Sequence, residues 1–379
     1  MPTRALRASI LTLALGVSGG AAAHAITLPP DGGNQKASVA QWLGPVEVRV
    51  TYNSPKVTAP DGTDRRGKIF GTLVPYGMKK ESYGTCGESC PWRAGANENT
   101  VFTVSHDVKV EGQALPAGSY GLHMVAGPEE WTVIFSKSHE SWGSYFYDAK
   151  LDALRVKVKA RKAPYTHWLT YDFVERQLDK ATVVLRWDEL EVPIAIAVDD
   201  VNGLYMAGLG EELKGAPGGT WDAWEAAARF ALQNKRNDEA LRWARYAVSG
   251  PFVGVANFRS LSTLADAQEA SGQAEEARKT IKTALESPTA TPIDLHQYGR
   301  RLLRQKKAKE ALEVFELNAR RNPNVWPVNV GLARGYAAVG RNKEALEAAK
   351  KALAQAPDDG NRTSLQGMVK SLEAGKPLD

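Results

Sequence analysis

The sequence predicts a two-part fold, an antiparallel β-sandwich followed by an α-helical solenoid, on three observations. Between Val46 and Val198, short apolar or alternating runs recur between turns rich in Gly and Pro, the pattern of many short antiparallel strands. Beyond residue 220 an alanine-centred motif returns every 34 to 37 residues, the period of stacked helix pairs. Between the two lies Gly215-Ala216-Pro217-Gly218-Gly219, which suits neither a helix nor a strand. A parallel sheet would need amphipathic crossover helices between the strands, and the sequence offers none there.

A chain of 379 residues is long enough for two domains, each with its own core. Residues 1–25 read as a secretory leader. Arg4 and Arg7 precede the apolar run Ile10–Val17, and Ala23-His24-Ala25 places small residues around a cleavage point near Ala25. That run is too short to span a bilayer, no later stretch is longer, and no cysteine follows it to carry a lipid. The expected location is the periplasm or the exterior. The formal charge of +5, of which Arg4 and Arg7 contribute two, predicts neither a nucleic acid nor a membrane surface as partner.

The two cysteines, Cys86 and Cys90, sit as C-x-x-x-C within Gly84–Pro91. An oxidising compartment favours a disulfide between them. Two thiols without clustered further ligands do not make a metal centre, and the spacing is not the C-x-x-C of redox pairs.

In chain order, residues 26–40, with Pro29, Pro30, Gly32 and Gly33, read as an extended or disordered lead-in. Val46, Val48 and Val50 alternate with polar residues as in a half-buried strand. Lys68–Gly77 is apolar but broken by glycine and proline, as in a packed loop. Pro91–Thr100 gathers an indole, a guanidinium, two carboxamides and a carboxylate around Gly95, composition for either a sheet corner or a pocket floor. Strand patterns follow at Thr100–Ser105, Val108–Glu111, Tyr120–Val125, Trp131–Phe135, Leu154–Val158, Trp168–Val174, Thr182–Trp187 and Val192–Val198.

Lys68–Gly77, Trp92–Thr100, Leu115–Leu122, Glu130–Phe135 and Leu154–Val158 together resemble the hallmark segments of the bacterial domain of unknown function 2911. The resemblance spans roughly residues 35–200 and implies an exported β-rich domain without an assigned activity or catalytic residues. The cysteine loop, inserted between Gly77 and Trp92, departs from the shorter members of that family.

Residues 201–219 read as a helical linker. Residues 220–358 then hold the repeats, in which Ala240, Ala277, Ala311 and Ala345 each follow a charged pair, and Pro251, Pro288, Pro323 and Pro357 close the units. Gly340 in Val339-Gly340-Arg341-Asn342 suits the left-handed cap between paired helices. The last unit, with Leu332, Tyr336, Gly340, Ala345, Ala352 and Pro357, resembles tetratricopeptide repeats, and residues 359–379 read as a capping helix and tail.

Three sets of side chains could carry function. Arg93, Glu98 and His123 could converge as anion binder and acid–base pair, with Trp92 and Asn97 lining the pocket; otherwise Arg93 and Glu98 are a structural ion pair and the asparagines hold a turn. Trp142 and Tyr145, in an expected loop, could form a platform for a sugar ligand. In the repeats, alanine register puts Arg229, Arg259, His296, Arg300, Arg304 and Arg334 on the first helix of each unit, facing a groove suited to carboxylates. His106, His123, His139 and His167 lack recognisable metal-ligand spacing, and neither Ser105-His106 nor Ser138-His139 lies in a G-x-S-x-G elbow. No cofactor or metal is expected. The sequence therefore favours a non-enzymatic scaffold that engages a protein or peptide through its helical repeats. An envelope enzyme around Arg93, Glu98 and His123, hydrolytic in type, and a carbohydrate-binding sandwich are the alternatives.

Overall fold

The computed structural model describes residues 33–378; the expected leader and its cleavage point lie outside them. The chain divides between Asp199 and Asp200 into two compact units.

The first unit holds ten strands: β1 (Gln35–Leu43), β2 (Val46–Ser54), β3 (Thr100–Val104), β4 (Val108–Val110), β5 (Gln113–Leu115), β6 (Gly118–Val125), β7 (Glu130–Ser136), β8 (Asp152–Lys159), β9 (Arg161–Val174) and β10 (Lys180–Ala197). They form a six-stranded sheet ordered β1-β2-β3-β6-β7-β8 and a four-stranded sheet ordered β5-β4-β10-β9. Their strand pairs are antiparallel. Val46, Val48 and Val50 are fully buried, as their alternation requires. Phe102, Trp131, Phe135, Leu169, Trp187 and Ile194 fill the core. A large apolar side chain so buried contributes about 1.5–3 kcal/mol each.

The structure corrects the expected elements in two places. Residues 35–40 are not a lead-in but most of β1, paired with β2 from Gln35↔Ser54 to Leu43↔Val46. As an edge strand β1 is largely exposed, so its sequence lacks the apolar alternation that marks a strand. The two expected strands within residues 182–198 are one, β10, which ends at Ala197. The ladder with β9 slips around Asp188, which takes a left-handed backbone (φ 57°) and accepts the Gly67 N–H at 2.7 Å. A bulge thus passes for a turn in the sequence.

The second unit holds α1 (Val201–Glu212), α2 (Trp221–Gln233), α3 (Asn237–Ser249), α4 (Phe258–Ala270), α5 (Ala274–Glu286), α6 (Pro292–Arg304), α7 (Ala308–Arg321), α8 (Trp326–Ala338), α9 (Asn342–Ala354) and α10 (Asp359–Glu373). Helices α2/α3, α4/α5, α6/α7 and α8/α9 pack as antiparallel pairs, each against the next. Ala240, Ala277, Ala311 and Ala345 lie buried in the second helix of each pair, where a larger side chain would push the helices apart. The turn within each pair uses one left-handed residue: Lys235 (φ 58°), Gly272 (78°), Lys306 (63°) and Gly340 (80°). Only two of these are glycine, which is why the earlier units look less regular in sequence. Helix α10 buries Leu365, Met368, Val369 and Leu372 over the last repeat, closing its apolar face.

Candidate functional site

In the sandwich, Pro91–Thr100 forms a tightly bonded corner. Trp92 exchanges two backbone hydrogen bonds of 2.8 Å with Met124 on β6. Its ring stacks on Trp187 (6.2 Å, 15°) and meets Phe70 and Trp131 edge-on, so its first role is packing. The Ala94 carbonyl accepts from Thr100 Oγ1 (3.1 Å) and Tyr171 Oη (2.9 Å). Asn97, left-handed at φ 56°, accepts from Asn34 Nδ2 (3.0 Å). Asn97 thus holds the turn, and it is not among the residues that line the nearby cavity. Glu98 is exposed and accepts from Asn53 Nδ2 at 2.7 Å. It does not line the nearby cavity, so the expected Arg93–Glu98–His123 constellation is not assembled. Nor do Arg93 and Glu98 pair: the guanidinium donates to the Asn97 carbonyl and lies 4.7 Å from the Tyr145 ring centre.

Arg93 faces another partner. With Trp92, Lys79, Glu81, Ser144 and Tyr145 it lines a cavity of about 120 Å³. Gly143 lets the guanidinium lie flat, since a Cβ there would come within 2.3 Å of its central carbon. Behind the cavity, His123 Nδ1 sits 2.8 Å from Ser144 Oγ, both side chains buried. Burial first, and the charge of Arg93 second, lower the His123 pKa to about 4, so its imidazole is neutral at pH 7. His106 bonds Ser105 and His167 bonds Tyr165, away from His123. Among the described residues no group of three or more His, Cys, Asp or Glu side chains comes together as a metal site.

The cysteine loop fixes this region. Cys86 and Cys90 are disulfide-paired with Cα atoms 5.3 Å apart. The Thr85 and Cys86 N–H groups both donate to the Tyr145 carbonyl, at 2.8 and 3.1 Å. The five-residue ring removes about 2 kcal/mol of unfolded-state entropy. The double variant Cys86→Ser/Cys90→Ser should lower stability by up to about that amount. It should also raise hydrogen exchange at Thr85 and Cys86 by at least about tenfold, with β6 and β7 unchanged. Unaltered exchange at both amides would refute the anchoring role. Tyr83 (62% exposed), Trp142 (50%) and Phe146 (41%) present aromatic surface, and Tyr145, which lines the cavity, meets Tyr83 edge-on at 5.2 Å.

In the solenoid, only half of the expected groove residues meet at one cavity among the described residues. Glu225, fully buried on α2, lies 3.0 Å from Arg229 and 2.7 Å from Arg259, and accepts from Thr263 at 2.8 Å. Arg229 and Arg259 therefore serve an ion cluster that joins α2 to α4. His296 is buried on α6 beside Phe315, and Gly331 of α8 closes over it, so it is a packing residue rather than a groove residue. Arg300, Arg304 and Arg334 do converge. With Lys306, absent from the expected set, they line a cavity of about 700 Å³ whose walls include Leu303 and Ala337. Lys306 reaches it from the left-handed turn after α6, a placement that helix register does not reveal.

No curated protein matches the chain. Among solved structures, the chain is similar to YrrB, described as a TPR protein with an unusual peptide-binding site, at 18% identity over 44% of this chain and 84% of that one, with a TM-score of 0.29. It is similar to PilF of Pseudomonas aeruginosa at 20% identity, 41% and 68% coverage and a TM-score of 0.31. It is also similar to a thermophilic TPR protein of Thermus thermophilus at 20% identity, 46% and 91% coverage and a TM-score of 0.32. At such scores the solenoid assignment rests on the helix pairs themselves. Residues 34–196, which hold the β-sandwich, match the family model described as "Protein of unknown function (DUF2911)".

Proposed function

We propose that the protein is an exported scaffold whose helical repeats hold an acidic segment of a partner protein. The observation that carries this reading is the convergence of Arg300, Arg304, Lys306 and Arg334 on one large concavity. Guanidinium forks bind carboxylates in pairs, and the apolar wall from Leu303 and Ala337 favours acidic sequences interleaved with aliphatic residues. Export rests on the leader pattern of residues 1–25 and suits the Cys86–Cys90 pair.

The test is fluorescence anisotropy of the full chain with labelled ten-residue peptides, one rich in Glu and Leu and one with Lys in place of Glu. The acidic peptide should bind, and Arg300→Glu/Arg304→Glu should weaken it at least about 30-fold, two charge-assisted contacts of about 1 kcal/mol or more each being lost. Arg245→Glu, on α3, should change binding by less than about twofold. Equal binding of both peptides, or indifference to the double reversal, would overturn the reading. A second reading, a sugar platform on the sandwich, is favoured by the exposed Tyr83, Trp142 and Phe146 rings. It predicts a tryptophan fluorescence change with a glycan panel that Trp142→Ala removes.

A further inference from the structure

Ser144 and His123 come from separate elements 21 residues apart and meet at 2.8 Å. A serine buried only for packing ordinarily satisfies a carbonyl, as Ser54 does here by donating to Leu169 O at 2.6 Å. Ser144 instead places its hydroxyl on an imidazole while lining a cavity. Arg93 borders the same cavity, held by Gly143 and Tyr145. The Nε2 edge of His123 faces Gly121, and the Asn99 carboxamide lies on the same side. A Cβ at Gly121 would stand 3.1 Å from Nε2 and 3.2 Å from Asn99 Nδ2. Asn99 Nδ2, the amide atom on that side, donates to the Ser138 carbonyl at 3.3 Å.

We infer that Ser144 is an acyl-transfer nucleophile, with His123 as its base and Arg93 as the cation facing the oxyanion, and that the substrates are short-chain acyl esters. In the first step the Ser144 Oγ–H proton passes to His123 Nδ1 as Oγ bonds to the ester carbonyl carbon. The carbon–oxygen bond to the alcohol then breaks, and the alcohol leaves with the proton from Nδ1. Water next gives a proton to Nδ1 and attacks the acyl-serine, releasing the carboxylic acid and restoring the Ser144 hydroxyl. The net reaction consumes one ester and one water. Chain length follows from space: 120 Å³ is the liquid volume of roughly four waters, at about 30 Å³ each, enough for an acetyl-sized group.

The inference is independent of the helical groove, and its test is run on the full chain. Wild-type protein is incubated with methanesulfonyl fluoride, a serine-modifying reagent of about acetyl size, and adducts are located by peptide mass spectrometry. Turnover of 4-nitrophenyl acetate and 4-nitrophenyl octanoate is followed in parallel. The adduct should fall on Ser144, His123→Gln should slow its formation at least about 100-fold, and Ser138→Ala should leave it unchanged. The acetate ester should turn over at least about tenfold faster than the octanoate, because each surplus methylene has no room. Since the wild-type adduct is decisive alone, misfolding of a variant does not blunt the test. Absence of an adduct on Ser144 in the folded wild type, labelling spread equally over Ser138 and Ser144, or a preference for octanoate would each overturn the inference.

Discussion

Phe315→Ala should lower the stability of the helical unit by about 3–5 kcal/mol, the range for removing a fully buried aromatic side chain. Phe315 projects from α7 with no solvent exposure. Its ring seats among three glycines of other helices: a Cβ at Gly299 on α6 would lie 2.4 Å from it, at Gly331 on α8 2.6 Å, and at Gly335 on α8 2.8 Å. Glycine here is a matter of close approach, not of backbone freedom. Backbone forms much of this socket, so it cannot collapse by side-chain rotation, and the cavity left by alanine stays open. That places the variant toward the upper part of the range. Gly299→Val should be at least as damaging, since overpacking here would force α6 away from α7. The measurement is chemical denaturation followed by far-UV circular dichroism, with tryptophan fluorescence as a second probe, because two units need not unfold together. A loss below about 1 kcal/mol would mean that the socket is not closed in solution. The same variant should weaken acidic-peptide binding, because α6 carries Arg300 and Arg304 and α8 carries Arg334.

What the chain reveals before folding depends on whether a constraint is local. The repeat alanines are legible because each helix crossing demands a small residue at one position, whatever surrounds it. Trp131 is equally legible as core, since it opens the largely apolar run Trp131–Phe135. Helix register assigned His296 to a groove face but could not report depth; Gly331, 35 positions later, decides that. Arg229 and Arg259 are on the expected helices, yet their charge is matched by Glu225. The Glu225–Arg229 spacing of four residues is a signal that the sequence did carry. The meeting of His123 with Ser144 had no such signal. Ser144 lies in a stretch noticed for its aromatic residues, and that loop is held over β6 by partners distant in sequence: Thr85 and Cys86 on the Tyr145 carbonyl and Asn99 on the Ser141 carbonyl. Glu98 drew attention as a carboxylate near a guanidinium, but proximity along the chain does not determine side-chain direction. Left-handed residues at Ala94 and Asn97 turn the backbone between Arg93 and Glu98, and the two side chains find other partners.

Acidification from pH 7 to about 4 should cost each unit about 3 kcal/mol through a single buried histidine. His123 in the sandwich and His296 in the solenoid both have pKa values lowered to about 4. Burial is the leading cause in each; Arg93 adds to it at His123, and Arg300 and Arg334 at His296. In the unfolded chain a histidine titrates near 6.5. Between 6.5 and 4 the unfolded state therefore binds a proton that the folded state refuses, and stability falls as pH falls. Below about 4 both states are protonated and this contribution levels off. Glu191 acts in a lower window: burial raises its pKa, but hydrogen bonds from Arg161 and Arg186 outweigh that and hold it below the usual carboxylate value. Its stabilisation is complete above the unfolded value near 4.3 and is lost only beneath it. The interval from about 6.5 to 4.5 thus reads His123 in the sandwich, whereas in the solenoid Asp266, its pKa raised by burial, opposes His296. Denaturation midpoints read across that interval should decline by up to about 1.4 kcal/mol per pH unit in each transition. His296→Gln should flatten the helical transition alone, and His123→Gln the sandwich transition alone. A helical transition equally pH-dependent with and without His296 would place the acid sensitivity elsewhere in that unit.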